Sequence, residues 1–166
     1  MWVILLYGLG WDIQQDMQRN ANLDGVKKRF HLSLPASHKA HIYGAAAKEG
    51  ERKADYNAFA CRDADYARYS IWQYFDKETL LQALNWQKNE PIQWEFMEAV
   101  QQIAYVDERY LVQSMDTEIY TFYIENQYSF SWKGKLLLIF TPQATLQNGK
   151  TYENILFLYE WDSQFF

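Results

Sequence analysis

Residues 136–140 read Leu-Leu-Leu-Ile-Phe, five apolar side chains in a row. Successive side chains of a strand point to opposite faces, so a strand with this composition must be covered on both sides. It therefore belongs in the middle of a sheet with a packing layer above and below. Around it the apolar residues recur with period two, and 110–115, 119–124, 128–132, 136–141 and 155–161 all read as strands.

The spacing between these strands suggests their turns. Tyr120, Phe122 and Ile124 share one face, and Tyr128, Phe130 and Trp132 share a face of the next strand. The two rows coincide only across an odd loop, because a shift of one residue flips every side chain. A three-residue loop at Glu125-Asn126-Gln127 pairs Ile124 with Tyr128, Phe122 with Phe130 and Tyr120 with Trp132. A two-residue turn at Lys133-Gly134 then pairs Phe130 with Leu137 and Tyr128 with Ile139. Ser129 and Ser131 would lie beside Leu136, Leu138 and Phe140, leaving room there for a helix or a pocket.

Upstream the pattern is mixed. Residues 2–7 form an apolar run closed by Gly8 and Gly10, as in a buried strand, and 30–34 alternate as a short strand stopped by Pro35. An Ala-rich piece within 36–48 reads as helical, interrupted at Gly44, and 51–69 as an amphipathic helix, followed by a strand over 70–75. Asp76 is suited to cap a helix through Leu80, Leu81, Leu84 and Trp86. Pro91 opens a further helix with a stripe of Ile92, Phe96, Val100 and Ile103. Helices together with a run of strands predict an α+β fold. We expect one domain over residues 1–166, a mainly antiparallel C-terminal meander packed on two to four helices, with the N-terminal strand joining the sheet.

Composition narrows the function. The 166 residues are 49% hydrophobic and contain one cysteine, so a core can form without disulfides, and a thiolate zinc cluster is excluded. The net charge of −5 argues against nucleic acid, whose phosphates require dense Lys and Arg. Of the 16 Lys/Arg and 21 Asp/Glu, eight and six fall in residues 1–60, a net of +2; the remaining 8 against 15 give residues 61–166 a net of −7. The first uncharged run ends at Asp12, too short to span a bilayer, and lacks a basic start and cleavage signal. The expectation is a cytoplasmic protein with no membrane segment.

The motifs argue mostly by exclusion. His31, His38 and His41 are the three histidines. On a helix His38 and His41 would share a face, but HExxH is missing and a third ligand would be a distant carboxylate, so no metal or other cofactor is expected. His31-Leu32-Ser33-Leu34 resembles one of the two H-x-[ST]-x motifs of the 2H phosphoesterase family. That family needs a second such motif downstream, and no histidine follows His41, so the chain departs from the pattern at its essential point. Gly8-Leu9-Gly10 lacks the third glycine of a dinucleotide fingerprint, since Ile13 stands there. There is no P-loop and no G-x-S-x-G, and Asp63 and Asp65 diverge on a helix. Cys61 reads as inert packing.

A domain rich in aromatic residues, 18% Phe, Trp and Tyr, with an acidic C-terminal part and no catalytic signature suits protein binding. The general character is that of small inhibitors that neutralise basic toxins or nucleases. The expected activity is therefore non-catalytic, an immunity-type protein facing a basic protein partner. The expected binding residues are Glu118, Tyr123, Glu125, Tyr152, Glu153, Tyr159, Glu160, Trp161 and Asp162, gathered on one acidic, aromatic face. The alternative is a small enzyme or ligand-binding protein with a cleft near His31, His38 and His41.

Overall fold

The computed structural model of the chain describes residues 21–36, 38–48, 66–88, 97, 100–101, 106–127 and 132–164. The described residues form one mainly antiparallel seven-stranded sheet with a few short helices, an α+β arrangement. Its strands are β1 (His38–Lys48), β2 (Tyr66–Tyr74), β3 (Gln87–Lys88), β4 (Val112–Met115), β5 (Tyr120–Gln127), β6 (Trp132–Leu146) and β7 (Thr151–Gln164). The spatial order is β1-β2-β7-β6-β5-β3, and β4 pairs with β6. Beside the sheet lie a π-helical turn (Ala21–Gly25), the helices α1 (Val26–Phe30) and α2 (Lys77–Leu81), and a 3₁₀ turn (Glu108–Tyr110).

The five apolar residues of β6 do what their composition demands. Leu136 to Phe140 are all fully buried. Leu137 and Ile139 face one layer with Tyr69, Ile71, Phe157, Tyr159 and Val100. Leu136, Leu138 and Phe140 face the other, with Trp72, Leu156 and Leu158, covered by Leu23, Val26 and Phe30 from the first helical segment and Leu80 from α2. β7 lies between β2 and β6, so its residues 155–161 are buried on both faces as well.

Several sequence expectations are corrected. Residues 38–48 are a strand rather than an Ala-rich helix, because nine positions of β1 pair with β2. β2 begins at Tyr66, so the last residues of the expected 51–69 helix are extended. Residues 30–34 do not form a strand: Phe30 ends α1 and His31 closes it with a left-handed backbone, φ 54°. Asp76 caps α2 as expected, its carboxylate accepting from the backbone N–H of Thr79, but the helix stops at Leu81.

Glu125-Asn126-Gln127 is not a turn. β5 runs through these residues, pairing Glu125 with Lys135, Asn126 with Gly134 and Gln127 with Lys133. Lys133-Gly134 accordingly lies within β6, near its start, and Leu137 pairs with Tyr123. The expected strand at 2–7, the helix from Pro91 apart from a helical backbone at Met97 and Val100, Cys61, and residues 128–131 lie outside the described residues.

One irregularity organises the lower end of the sheet. β4 and β5 follow one another along the same side of β6, with Met115 opposite Ala144 and Tyr120 opposite Phe140. The line is broken at 116–119, alongside Pro142, which has no N–H to give to a ladder. On the other side of Pro142, Asn154 of β7 has φ 50°. Tyr152 and Ile155 face the same layer although three residues apart, so the alternation of side chains along β7 slips here by one residue while β6 and β7 keep one register. Beyond the slip β6 and β7 continue as a hairpin closed at Asn148-Gly149, where Gly149 has φ 84° and its N–H reaches the Leu146 carbonyl at 2.9 Å.

Candidate functional site

The break beside Pro142 turns polar side chains outward. Asp116 donates its backbone N–H to the Gln143 carbonyl at 2.9 Å and accepts from the N–H of Glu118 at 3.0 Å, so 116–118 form a tight projection. Thr141 Oγ1 ties the Glu118 carbonyl to β6 at 3.0 Å. Across the break, Asn154 Nδ2 donates to the Phe75 carbonyl at 3.3 Å, and Gln73 Nε2 donates to the Glu153 carbonyl at 3.1 Å. α2 starts next to Phe75 and reaches back: Lys77 Nζ lies 2.6 Å from Glu118 Oε1. The hydroxyl of Tyr120 donates to the same carboxylate oxygen.

The result is a ledge where β2 ends, β5 begins and the β6–β7 hairpin continues. Phe75 stands on it with 67% of its surface exposed. Asp76, Glu78, Asp116 and Glu153, on the segments that meet here, are exposed, and Glu118 is partly so. Against these five carboxylates stand Lys77 and Lys88, whose ammonium groups each lie 5.8 Å from the centre of the Tyr120 ring.

Asp76 and Glu118 are held in the charged form. Hydrogen bonds from the Thr79 side chain and backbone lower the pKa of Asp76, and those from Lys77 and Tyr120 lower that of Glu118. The same ion pair raises the pKa of Lys77. Burial, followed by the hydrogen bond to Glu118, raises that of Tyr120.

Of the nine residues expected to form an acidic face, only Glu118 and Glu153 belong to this ledge. Tyr123 and Glu125 lie towards the other end of β5. Tyr123 is 43% exposed and donates its hydroxyl to Glu125 at 2.8 Å, while Lys133 and Lys135 approach Glu125 at 3.6 and 3.5 Å. That patch carries mixed charge rather than an acidic excess. Tyr152 is half-buried against the first layer, and Asp162 lies on β7 opposite Tyr66 and Gly134.

Tyr159, Glu160 and Trp161 are buried, because β7 is an inner strand. Tyr159 and Trp161 stack with ring centres 4.9 Å apart. Glu160 is sealed under α1, where Arg29 grips it through Nε at 2.6 Å and Nη2 at 2.5 Å, and Arg68 approaches to 3.4 Å. These three residues hold the fold together and offer no surface to a partner.

The histidines divide. His31 is exposed at the end of α1. His38 and His41 do share a face, through a strand bulge rather than a helix: they pair with Tyr74 and Trp72, four residues on β1 against three on β2. Both rings pack on Trp72, at 4.7 and 4.1 Å between centres. Trp72 Nε1 in turn donates to Ser70 Oγ at 2.9 Å. Among the described residues no group of three or more His, Cys, Asp or Glu side chains is placed to hold a metal.

Sequence reasoning missed Phe75, Asp116 and Glu78 as surface residues and took Asp76 only for a cap. The available signal was Pro142, a residue that interrupts pairing in an otherwise continuous strand. No family model matches the chain, and no curated protein or solved structure is significantly similar to it. Among the described residues no helix is long and apolar enough to cross a membrane.

Proposed function

We propose that the chain is a non-catalytic protein-binding module that docks a basic protein on the ledge around Phe75. The observation that carries this reading is an exposed Phe75 on the same ledge as the exposed Asp76, Glu78 and Glu153, with Glu118 joined to α2 through Lys77 and with Asp76 and Glu118 held ionised by their hydrogen bonds. A field of one sign speeds encounter with a partner of the other sign and rejects like-charged competitors. The net −7 of residues 61–166 supports the same polarity and disfavours nucleic acid. An immunity-type inhibitor of a basic toxin domain, acting in the cytoplasm, is the specific form that this chemistry suits.

The test is affinity capture from the native host with the wild-type chain and with an E78Q/E153Q variant, followed by binding at several salt concentrations. A single basic protein held at equal stoichiometry, bound more weakly by the variant and at higher salt, is the expected result. A co-purified small molecule, or a partner indifferent to both changes, would overturn the reading.

A further inference from the structure

We propose that Phe75 is a preorganised anchor, and that the partner's contact segment carries an aliphatic or aromatic group between Lys or Arg side chains. This rests on the ledge being the docking surface, and it adds the apolar half of the recognition. A single exposed hydrophobic residue is ordinary on a protein surface. Phe75 differs in how firmly the chain presents it.

The residue before it, Tyr74, is buried and its hydroxyl donates to the Pro35 carbonyl at 3.3 Å. The residue after it, Asp76, accepts from Thr79 N–H at 2.7 Å and Thr79 Oγ1 at 2.5 Å. The carbonyl of Phe75 itself accepts from Asn154, a non-glycine residue held at φ 50°. Asparagine adopts this left-handed backbone more readily than most residues, and here the conformation accompanies a side-chain bond to the Phe75 carbonyl. The ring is thus displayed on a backbone tied on both sides, which lowers the ordering that binding must supply. Aromatic residues presented in this way are the usual anchors of interfaces, and carboxylates at their rim select cationic neighbours. Asp76, Glu78 and Glu153 supply that rim.

The test can be run before the natural partner is identified. Random peptides displayed on phage are selected at low salt against immobilised wild-type chain, and the winners are measured against F75A and E78Q/E153Q. Because Phe75 is exposed, F75A is expected to keep the wild-type urea midpoint, which verifies its fold. The expected winners combine Lys or Arg with Leu, Ile, Phe or Trp. Their affinity should fall about 10- to 100-fold for F75A, as for an interface anchor, with the salt dependence unchanged. Basic winners without an apolar residue, bound equally by wild type and F75A, would overturn the anchor while leaving the acidic ledge standing. Winners with no basic excess, or indifferent to E78Q/E153Q, would remove the docking reading itself.

Discussion

Replacing Arg29 by methionine tests the packing of the sheet against its first helical segment. Glu160 is fully buried and receives two charge-assisted bonds from Arg29, at 2.6 and 2.5 Å. Methionine keeps the apolar stem but leaves the carboxylate with Arg68, whose Nη1 stands at 3.4 Å. Removing one partner of a buried pair costs about 3–5 kcal/mol. Arg68 remains, and the Arg29 side chain is 21% exposed, so water can reach the gap; both reduce the expected loss to about 2–4 kcal/mol. With a urea dependence of about 2 kcal/mol per M, the unfolding midpoint should drop by about 1–2 M. The assay is equilibrium urea unfolding followed by tryptophan fluorescence and, independently, by far-ultraviolet circular dichroism. The loss comes from an uncompensated charge rather than from lost contacts, so R29M/E160L should regain most of it. A loss below about 1 kcal/mol in R29M, or a double variant no more stable than R29M, would refute the reasoning.

Three further outcomes are expected. Gly25 has helical φ, yet a Cβ there would meet Arg29 Nη1 at 2.8 Å; G25A should therefore destabilise the wild type by disturbing the grip on Glu160, but should stabilise R29M by up to about 1 kcal/mol, and equal effects in the two backgrounds would contradict this. Burial raises the pKa of Tyr69 and Tyr74, so the stability they provide is complete below the unfolded value of about 10 and is lost as pH climbs from there towards the folded values; absorbance near 295 nm should show both ionising only with unfolding. The pKa values of Asp76, Asp107, Glu118 and Glu125 are lowered by hydrogen bonds, so their contribution is present above the unfolded values of about 4 and is lost as pH falls through the folded ones; urea midpoints measured from pH 5 to pH 2 should decline, less steeply in D76N, and a flat profile would be inconsistent.

The parts of the fold that were legible are those set by local chemistry or by burial on both faces. Residues 136–140 admit one reading because no polar residue interrupts them, and Asp76 caps a helix through its own side chain. β1 was not legible: its Gly-Ala-Ala-Ala run has no strand signal, and it is extended because β2 supplies a partner along its length. Glu125-Asn126-Gln127 reads as a turn because it is polar, yet the strand continues there, with the Glu125 charge met by Lys133 and Lys135. The same confusion shortens β6 and β7 in the sequence reading. Gln143, Thr145, Thr151 and Glu153 are polar strand residues, and Asn148-Gly149, a strong hairpin signal, marks the actual turn.

The place of the ledge was not legible. Carboxylates beside an exposed ring do occur, though the C-terminal segment of β7 does not provide them. An inner strand buries its charged residue as readily as its aromatic ones, and strand order is not written in any one strand. Glu118 and Glu153 reach the ledge because both flank the break at Pro142, a relation visible only once β4, β5 and β7 are aligned along β6.

Amide hydrogen exchange on the complex with the captured partner bears most directly on the ledge. Protection gained on binding should concentrate at Phe75 to Glu78, Asp116 to Glu118 and Glu153 to Asn154, with Tyr123 to Gln127 unchanged. Protection confined to Tyr123 to Gln127, or to the strand carrying His38 and His41, would place the interface elsewhere and contradict the account.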